Sequence, residues 1–359
     1  MSTPRTNDLP LVSILVVNYN GSAFLGDCLD SLRGVAYSRY EVVVVDNGSV
    51  DDSRALLARY PWVRSVPSDR NLGFAGGNNL GLRHCLGELI LLLNSDTVVR
   101  PDFLTPLVEH MEAEPLVGVV QGKMVAPRLG GVLDVCGSYL TPIGFPYHRG
   151  YLKPDGPLYA GHYPIFCGKG ACLLIRRTAI EAAGGFLFDD SYFCYYEESD
   201  FCHRVWMSGG EVRFVAGPPI QHLMGATSGR MPMSDFALRH YLRNQTFTLC
   251  GNLEWSTLLR VMPLYFAVLV ASLAMHAVRG QWGAVCAHLE ALAVPYTERL
   301  RILARRKLIA RIRTVSDESF WTKISCWPGF GYFVKTAQGR LAEHVDEVRK
   351  RAVVVRKRA

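Results

Sequence analysis

Apolar and polar positions follow two rhythms along the first 120 residues. Leu11 to Val17 is a short continuous apolar run, which predicts a buried strand. Phe24, Leu25, Cys28, Leu29 and Leu32 then recur at helical spacing. Val42 to Val45 is β-branched throughout and predicts a second strand. Asp51 and Asp52 open another helix, where carboxylates suit the positive end of the dipole. Leu89 to Leu93 predicts a third strand and Val117 to Gln121 a further one. Strands alternating with helices predict an α/β fold, a mostly parallel sheet flanked by helices.

The pattern loosens after that. Residues 125–164 are rich in Gly, Pro and Tyr and lack periodicity, so loops and short strands are expected there. Gly170 to Arg176 and Glu211 to Val215 read as strands. Ser199 to Met207 reads as a helix with Phe201, Cys202 and Val205 inward. Met224 to Met233 mixes Gly, Ser, Thr and Pro, as a mobile lid would. From Tyr241 the texture changes. Val261 to Val278 holds 18 residues without Asp, Glu, Lys or Arg, the lower limit for a membrane span, although Pro263 and His276 fit a buried helix equally. A basic helix follows, with Arg299, Arg301, Arg305, Arg306, Lys307, Arg311 and Arg313. The expected organisation is a tail over 1–10, a main domain over 11–240 and a C-terminal helical, membrane-associated region over 241–359.

In open α/β sheets, ligands gather at the carboxyl ends of the strands. Three polar clusters stand there: Asn18-Tyr19-Asn20-Gly21, Asp46-Asn47-Gly48-Ser49 and Asn94-Ser95-Asp96. Asp96 with Asn94 can offer oxygen ligands to Mg²⁺ or Mn²⁺ and leave places for phosphate; a capping or turn Asp is the plainer alternative. Asp46 can accept the imide N–H of uracil or thymine, or serve as a turn residue. The stretch Asn71-Leu72-Gly73-Phe74-Ala75-Gly76-Gly77-Asn78-Asn79 is expected to precede a helix whose N-terminus favours phosphate. Its Gly73-x-x-Gly76 spacing is a weak dinucleotide signal and does not follow the first strand. Glu197, Glu198 and Asp200 crowd together after five residues that include Tyr192, Tyr195 and Tyr196, a setting that raises proton affinity and suits a general base. An acidic first turn of a surface helix is the plainer alternative. His222 is a possible partner of Asp96 at a metal.

Charge and cysteine content refine this. The net charge of +7 divides unevenly: 20 Lys and Arg against 24 Asp and Glu up to His240, and 19 against 8 from Tyr241 onward. The basic tail, which includes Arg349-Lys350-Arg351 and Arg356-Lys357-Arg358, calls for an anionic partner. An anionic bilayer surface fits the adjacent apolar run. Nucleic acid is excluded as a partner, because the body carries no binding motif for it. The 10 cysteines show neither CxxC pairs nor zinc spacing and read as thiols in a reducing cytosol, with a Cys194–Cys202 bond as the remote alternative. Pro4, Arg5, Asp8 and Pro10 interrupt any signal peptide.

Eight segments, in order, resemble family 2 glycosyltransferases of GT-A fold, in the rhamnosyltransferase-like branch. They are VSILVVNYNG, VVVVDNGSVDDS, NLGFAGGNNLGL, LLLNSDTVVRPDFL, GKGACLLIRR, GGF, YYEESDFCHRV and HLMGATSG, spread over Val12 to Gly229. The resemblance implies an inverting, metal-dependent transfer of a sugar from a nucleotide-diphosphate donor to an acceptor hydroxyl. It implies base binding at Asp46, a Mg²⁺ or Mn²⁺ site at Asn94, Asp96 and His222, and a catalytic base in the acidic pair. The second position of that pair, Glu198, is the first choice. Glu stands there where the family usually has Asp, so Glu197 and Asp200 stay open. The expected donor contacts are Asn18, Tyr19, Asn20, Asp46, Asn71, Gly73, Phe74, Gly76, Asn78, Asn94 and Ser95. By resemblance dTDP-rhamnose leads as donor, with a lipid-linked or cell-surface glycan as acceptor and a place at the cytoplasmic face of the plasma membrane. A nucleotide-sugar-binding protein without turnover is the alternative that the Glu-for-Asp change leaves open.

Overall fold

In a computed structural model of the chain, residues 9–224, 233–329 and 331–332 are described. The expected lid over Met224 to Met233, the end of HLMGATSG and the last two basic clusters lie wholly or mostly outside them. The strands are β1 (Val12–Asn18), β2 (Tyr40–Asn47), β3 (Arg64–Ser68), β4 (Leu89–Asn94), β5 (Thr97–Val98), β6 (Val117–Ala126), β7 (Val132–Leu133), β8 (Ser138–Leu140), β9 (Pro146–His148), β10 (Tyr163–Pro164), β11 (Cys172–Arg176) and β12 (Glu211–His222). The helices are α1 (Ser22–Arg33), α2 (Ser53–Leu57), α3 (Gly73–Leu82), α4 (Thr105–Ala113), α5 (Arg177–Ala182), α6 (Glu197–Met207), α7 (Asp235–Asn252), α8 (Trp255–Val278), α9 (Trp282–Thr297), α10 (Arg299–Ile312) and α11 (Asp317–Ile324).

One sheet runs in the order β10-β12-β6-β11-β4-β1-β2-β3. Its β4-β1-β2-β3 half is parallel, whereas β11 lies antiparallel to both β4 and β6. β1, β2 and β4 are buried on both faces along most of their length, which is why they read as unbroken apolar runs. Along β1, Leu15 faces a core that includes Ala75, Phe201 and Tyr265, while Ile14 and Val16 face the core of Leu25, Leu29 and Leu107.

The boundary expected at residue 240 falls inside α7. Leu242, Phe247, Tyr265, Ile302, Ile309 and Phe320 also belong to the same core as Leu15 and Phe201. The C-terminal helices are therefore packed onto one face of the sheet. Among the described residues, α8 is the one helix long and apolar enough to cross a membrane, and 22% of its most apolar stretch is buried. Val261, Met262, Tyr265 and Leu269 form its buried face, while Leu259, Leu264, Val270 and Val278 are exposed. It is neither a fully buried helix nor one free of the body. The basic helix is also not a solvated stripe. Arg305 is 5% exposed, and Arg306 donates to the carbonyls of Cys250 and Leu253. All ten cysteines are free thiols.

Candidate active site

The carboxyl ends of β1, β2 and β4 lie in line, with Asn18 opposite Asp46 and Val17 opposite Asn94. Local hydrogen bonds tie the first two loops together. Ser49 Oγ accepts from the Asn20 backbone N–H (2.9 Å), and Asn20 Oδ1 accepts from Val50 N–H (2.8 Å). Asn20 has φ 49°, a left-handed turn that Asn tolerates. Asn18 Nδ2 donates to Ser49 (3.4 Å) from a fully buried position. Tyr19 is half-buried and Ser95 is buried beside this loop. Asp46 is 1% exposed; its Oδ2 accepts from Arg54 Nε at 2.7 Å, while its Oδ1 is buried without a partner. A buried acceptor left open is unfavourable unless a ligand supplies the donor.

The glycine-rich stretch is itself α3 from Gly73 onward, not a loop before a helix. Its glycines serve packing. A Cβ at Gly77 would lie 2.7 Å from Val17 Cγ1, and one at Gly81 2.3 Å from Leu15 Cδ1, so the helix rests directly on β1. Gly73 (φ 74°) lies against the Phe193 carbonyl, where a Cβ would be 2.2 Å away. Asn78 is buried, and its Nδ2 donates back to Phe74 O (2.8 Å) within the helix. Asn71 and Gly76 line a separate 450 Å³ cleft with Arg70, Arg83 and Phe193. Gly76 and Arg83 stand on the face of α3 turned from the sheet, because Gly77 and Gly81 face it. Asn47 holds this segment in place. Its Oδ1 accepts from Leu72 N–H (3.0 Å), and its Nδ2 donates to Asn71 Oδ1 (3.1 Å) and Gly73 O (3.0 Å).

Asp96 and His222 meet although 125 residues separate them. The end of β12 pairs with β5, His222 opposite Thr97. His222 Nε2 then lies 3.2 Å from Asp96 Oδ1 and 3.4 Å from Asn94 Nδ2. Its Nδ1 is 2.6 Å from Oδ2 of Asp134, a fully buried carboxylate that also takes Lys169 Nζ at 2.8 Å on each oxygen. Burial opposes charge on His222, but the hydrogen bonds to Asp134 and Asp96 outweigh it and raise the pKa. Burial likewise opposes ionisation of Asp96, and His222 together with Lys169 turns the balance to a lowered pKa. Carboxylate–imidazole pairs of this kind orient metal-binding histidines through the second ring nitrogen. Asp96, His222 Nε2 and the Asn94 amide thus form a donor set that fits a divalent cation still coordinated by phosphate and water. Among the described residues there is no group of three or more His, Cys, Asp and Glu suited to a metal by themselves.

The acidic motif caps the same edge. Phe193, Tyr195 and Tyr196 hold φ of 59°, 68° and 75° just before α6. Such backbone is uncommon for bulky residues and is a form of strain that clusters at functional sites. Glu198 is half-buried, and its Oε1 accepts from Gly170 N–H at 3.0 Å. A Cβ at Gly170 would sit 2.8 Å from Glu198 Oε1 and 2.8 Å from the Phe74 ring, so a side chain there would have to displace them. The next carbonyl, Ala171 O, accepts from Asn94 N–H (3.2 Å). Glu198 is thereby tied to the strand end that carries Asn94 and Asp96, and it lines a 180 Å³ cavity together with Asp134 and Lys169. Burial raises the Glu198 pKa, partly offset by its own N–H, the Gly170 N–H and Lys169. Glu197 is 3% exposed with an unpartnered Oε2, and burial plus the Glu198 charge push its pKa well up.

Asp200 does not join them. It is fully buried and ionically paired with Arg204 (3.0 Å) and Arg305 (3.4 Å), and it accepts from Asn252 Nδ2 (2.9 Å). It holds the helices together and leaves no oxygen for a substrate. The sequence reading missed Asp134, Lys169, Asn47 and Arg305. Lys169 and Gly170 lie inside the quoted GKGACLLIRR segment, which was a usable signal; Asp134 sits in the aperiodic stretch with none.

Residues 13–181 match the sequence model of the family described as glycosyl transferase family 2. The chain is 28% identical over 265 residues to the N-acetylglucosaminyl-diphospho-decaprenol L-rhamnosyltransferase of Mycobacterium tuberculosis, covering 66% of this chain and 82% of that protein. It is 28% identical over 211 residues to the low-salt glycan biosynthesis hexosyltransferase Agl10 of Haloferax volcanii, covering 54% and 61%. Among solved structures it resembles GalNAc-T7 with UDP, GalNAc and Mn²⁺ (TM-score 0.63, 15% identity, 92% of this chain and 58% of that one). It also resembles TarS 1–349 of S. aureus with UDP-GlcNAc (TM-score 0.54, 15% identity, 87% and 92%). The fold is GT-A.

Proposed function

Because the chain belongs to glycosyltransferase family 2, we propose that it transfers a sugar, with inversion, from a nucleoside-diphosphate donor to an acceptor hydroxyl. The observation that carries this reading is the tie between Glu198 and the strand end bearing Asn94 and Asp96, through Gly170 and Ala171. The open Oδ1 of Asp46 accepts the imide N–H of the base. Asn94, Asp96 and His222 would hold Mg²⁺ or Mn²⁺, which when bound would supply positive charge to stabilise the leaving diphosphate. Asp134 keeps the His222 ring oriented. Glu198 takes the proton of the acceptor hydroxyl. The acceptor oxygen bonds to the anomeric carbon as the bond to the diphosphate oxygen breaks, and the electron pair leaves with the diphosphate. No covalent adduct with the protein is required. Glu197 is too buried, and Asp200 too fully paired, to serve in place of Glu198.

The donor assigned first is dTDP-rhamnose, with UDP-sugars next, on the likeness to the mycobacterial rhamnosyltransferase. The acceptor is a lipid-linked glycan intermediate at the cytoplasmic face of the membrane. The N-acetylglucosaminyl-diphospho-decaprenol in that relative's name and the exposed apolar residues of α8 support this reading. The test is a screen of dTDP- and UDP-sugars for released nucleoside diphosphate with Mn²⁺ or Mg²⁺, before and after addition of polyprenyl-diphosphate-linked GlcNAc. Release that no donor produces, or that Glu198→Gln leaves within threefold, overturns the assignment. Flotation of the full chain with anionic but not zwitterionic vesicles tests the membrane part.

A further inference from the structure

The 180 Å³ cavity beside Glu198 has a composition that the transfer reading does not yet use. It lies between the N-terminus of α6, the β8–β9 hairpin and α7, so three distant parts of the chain build it. Its aromatic walls include Tyr196 and Tyr241, whose rings meet edge to face at 5.6 Å between centroids. Tyr196 is 4% exposed, and its hydroxyl is buried without any partner. A phenol in that state lacks the hydrogen bond that buried tyrosines normally make. On the hairpin side, His148 Nδ1 lies 2.8 Å from Ser138 Oγ. His148 itself is exposed at the mouth of the cavity. The one cation on the wall, Lys169, is engaged by both oxygens of Asp134.

These features select a ligand class. The volume equals that of about six water molecules, the room for one pyranose ring. The walls offer aromatic faces, hydroxyls and an imidazole. Lys169 is already neutralised, and Glu198 repels anions. Resting on the transferase reading, we propose that this cavity is the acceptor subsite for a single uncharged pyranose, with the Tyr196 hydroxyl hydrogen-bonding one ring hydroxyl while Glu198 receives another. Tyr196 is held for this task by its left-handed backbone at the entrance to α6.

The probes are methyl glycosides of GlcNAc, glucose, galactose and mannose, methyl glucuronide as the charged control, and singly deoxygenated forms of whichever binds. Binding to the full-length protein is read by saturation-transfer NMR. At least one neutral glycoside is expected to bind saturably, and the glucuronide is expected not to. Tyr196→Phe should weaken that binding about tenfold, the loss of one hydrogen bond in a buried site. One deoxy form should lose the same tenfold on the wild type and show no further loss on the variant. If the variant does not fold, the single sensitive ring position on the wild-type protein decides alone. Saturable binding of the glucuronide, no binding by any neutral glycoside, or an equal loss for every deoxy form on Tyr196→Phe overturns the proposal. Nucleoside-diphosphate release is measured in parallel. Glycoside binding without release from any donor defeats the transferase reading; release that responds to a glycoside but not to Tyr196→Phe defeats the subsite.

Discussion

The donor-facing loops and the base-bearing helix α6 meet at one edge of the sheet but are held there by different means. The donor loops follow consecutive parallel strands and are joined by short polar contacts, such as Asn20 to Ser49 and Asn47 to Leu72, each spanning about one β-α unit of chain. On the other side, Glu198 depends on Gly170, and the helix that carries it depends on buried charge. Arg204 donates to the carbonyls of Ala183, Phe186 and Leu187, while Arg305, from α10, reaches Asp189 at 2.9 Å and Asp200 at 3.4 Å. One side is assembled locally. On the other, the Gly170 and Arg204 ties are equally local, but Arg305 adds a brace from more than one hundred residues away. The basic C-terminal helix therefore has a structural task before any membrane is involved.

The largest effect should come at the base. Glu198→Gln is expected to lower kcat by about 10²–10⁴-fold, with calorimetric donor affinity retained. An equal loss on Glu197→Gln would remove Glu198 from its place as the one base on α6. Next, Arg305→Met should destabilise the fold by about 3 kcal/mol in urea titration without membranes, because it strips a buried carboxylate of a partner. An unchanged midpoint would show that α10 does not brace α6. Asp134→Asn should weaken Mn²⁺ binding in the presence of nucleotide by about 10–100-fold, read by calorimetry, through loss of the His222 orientation.

The smallest effects concern pH. Glu198 acts as a base only when ionised, and burial raises its pKa above the usual 4.5. kcat/KM should thus fall as pH drops through that raised value. Glu197 favours its neutral form in the folded state. Its contribution to stability is complete below about pH 4.5 and is lost as pH rises through the raised value, since the folded pKa exceeds the unfolded one. Glu197→Gln should flatten this dependence in thermal melts and leave that of the rate in place.

The same division explains how much was legible. β1, β2 and β4 announce themselves because strands buried on both faces must be continuously apolar. The polar clusters after them were readable because a parallel sheet directs its loops to one edge. The glycine-rich stretch misled because glycine is associated with phosphate loops, whereas Gly77 and Gly81 here let a helix touch β1. Asp200 misled because three neighbouring carboxylates look alike in sequence, and only Arg204 and Arg305 set it apart.

The order of apolar runs and polar clusters was enough to predict an α/β sheet with a parallel β4-β1-β2-β3 half, the edge where its polar loops gather, and Asp46, Asp96 and the acidic pair as groups of interest. Only the tertiary structure decided which acidic residue faces the cavity, that Asp134 orients His222, and that α10 braces α6. The physical reason is reach. Periodicity and local hydrogen bonding act over a few residues and leave a trace in sequence. Buried charges and hydroxyls are satisfied by whichever distant segment packs beside them, and that partner has no fixed spacing along the chain.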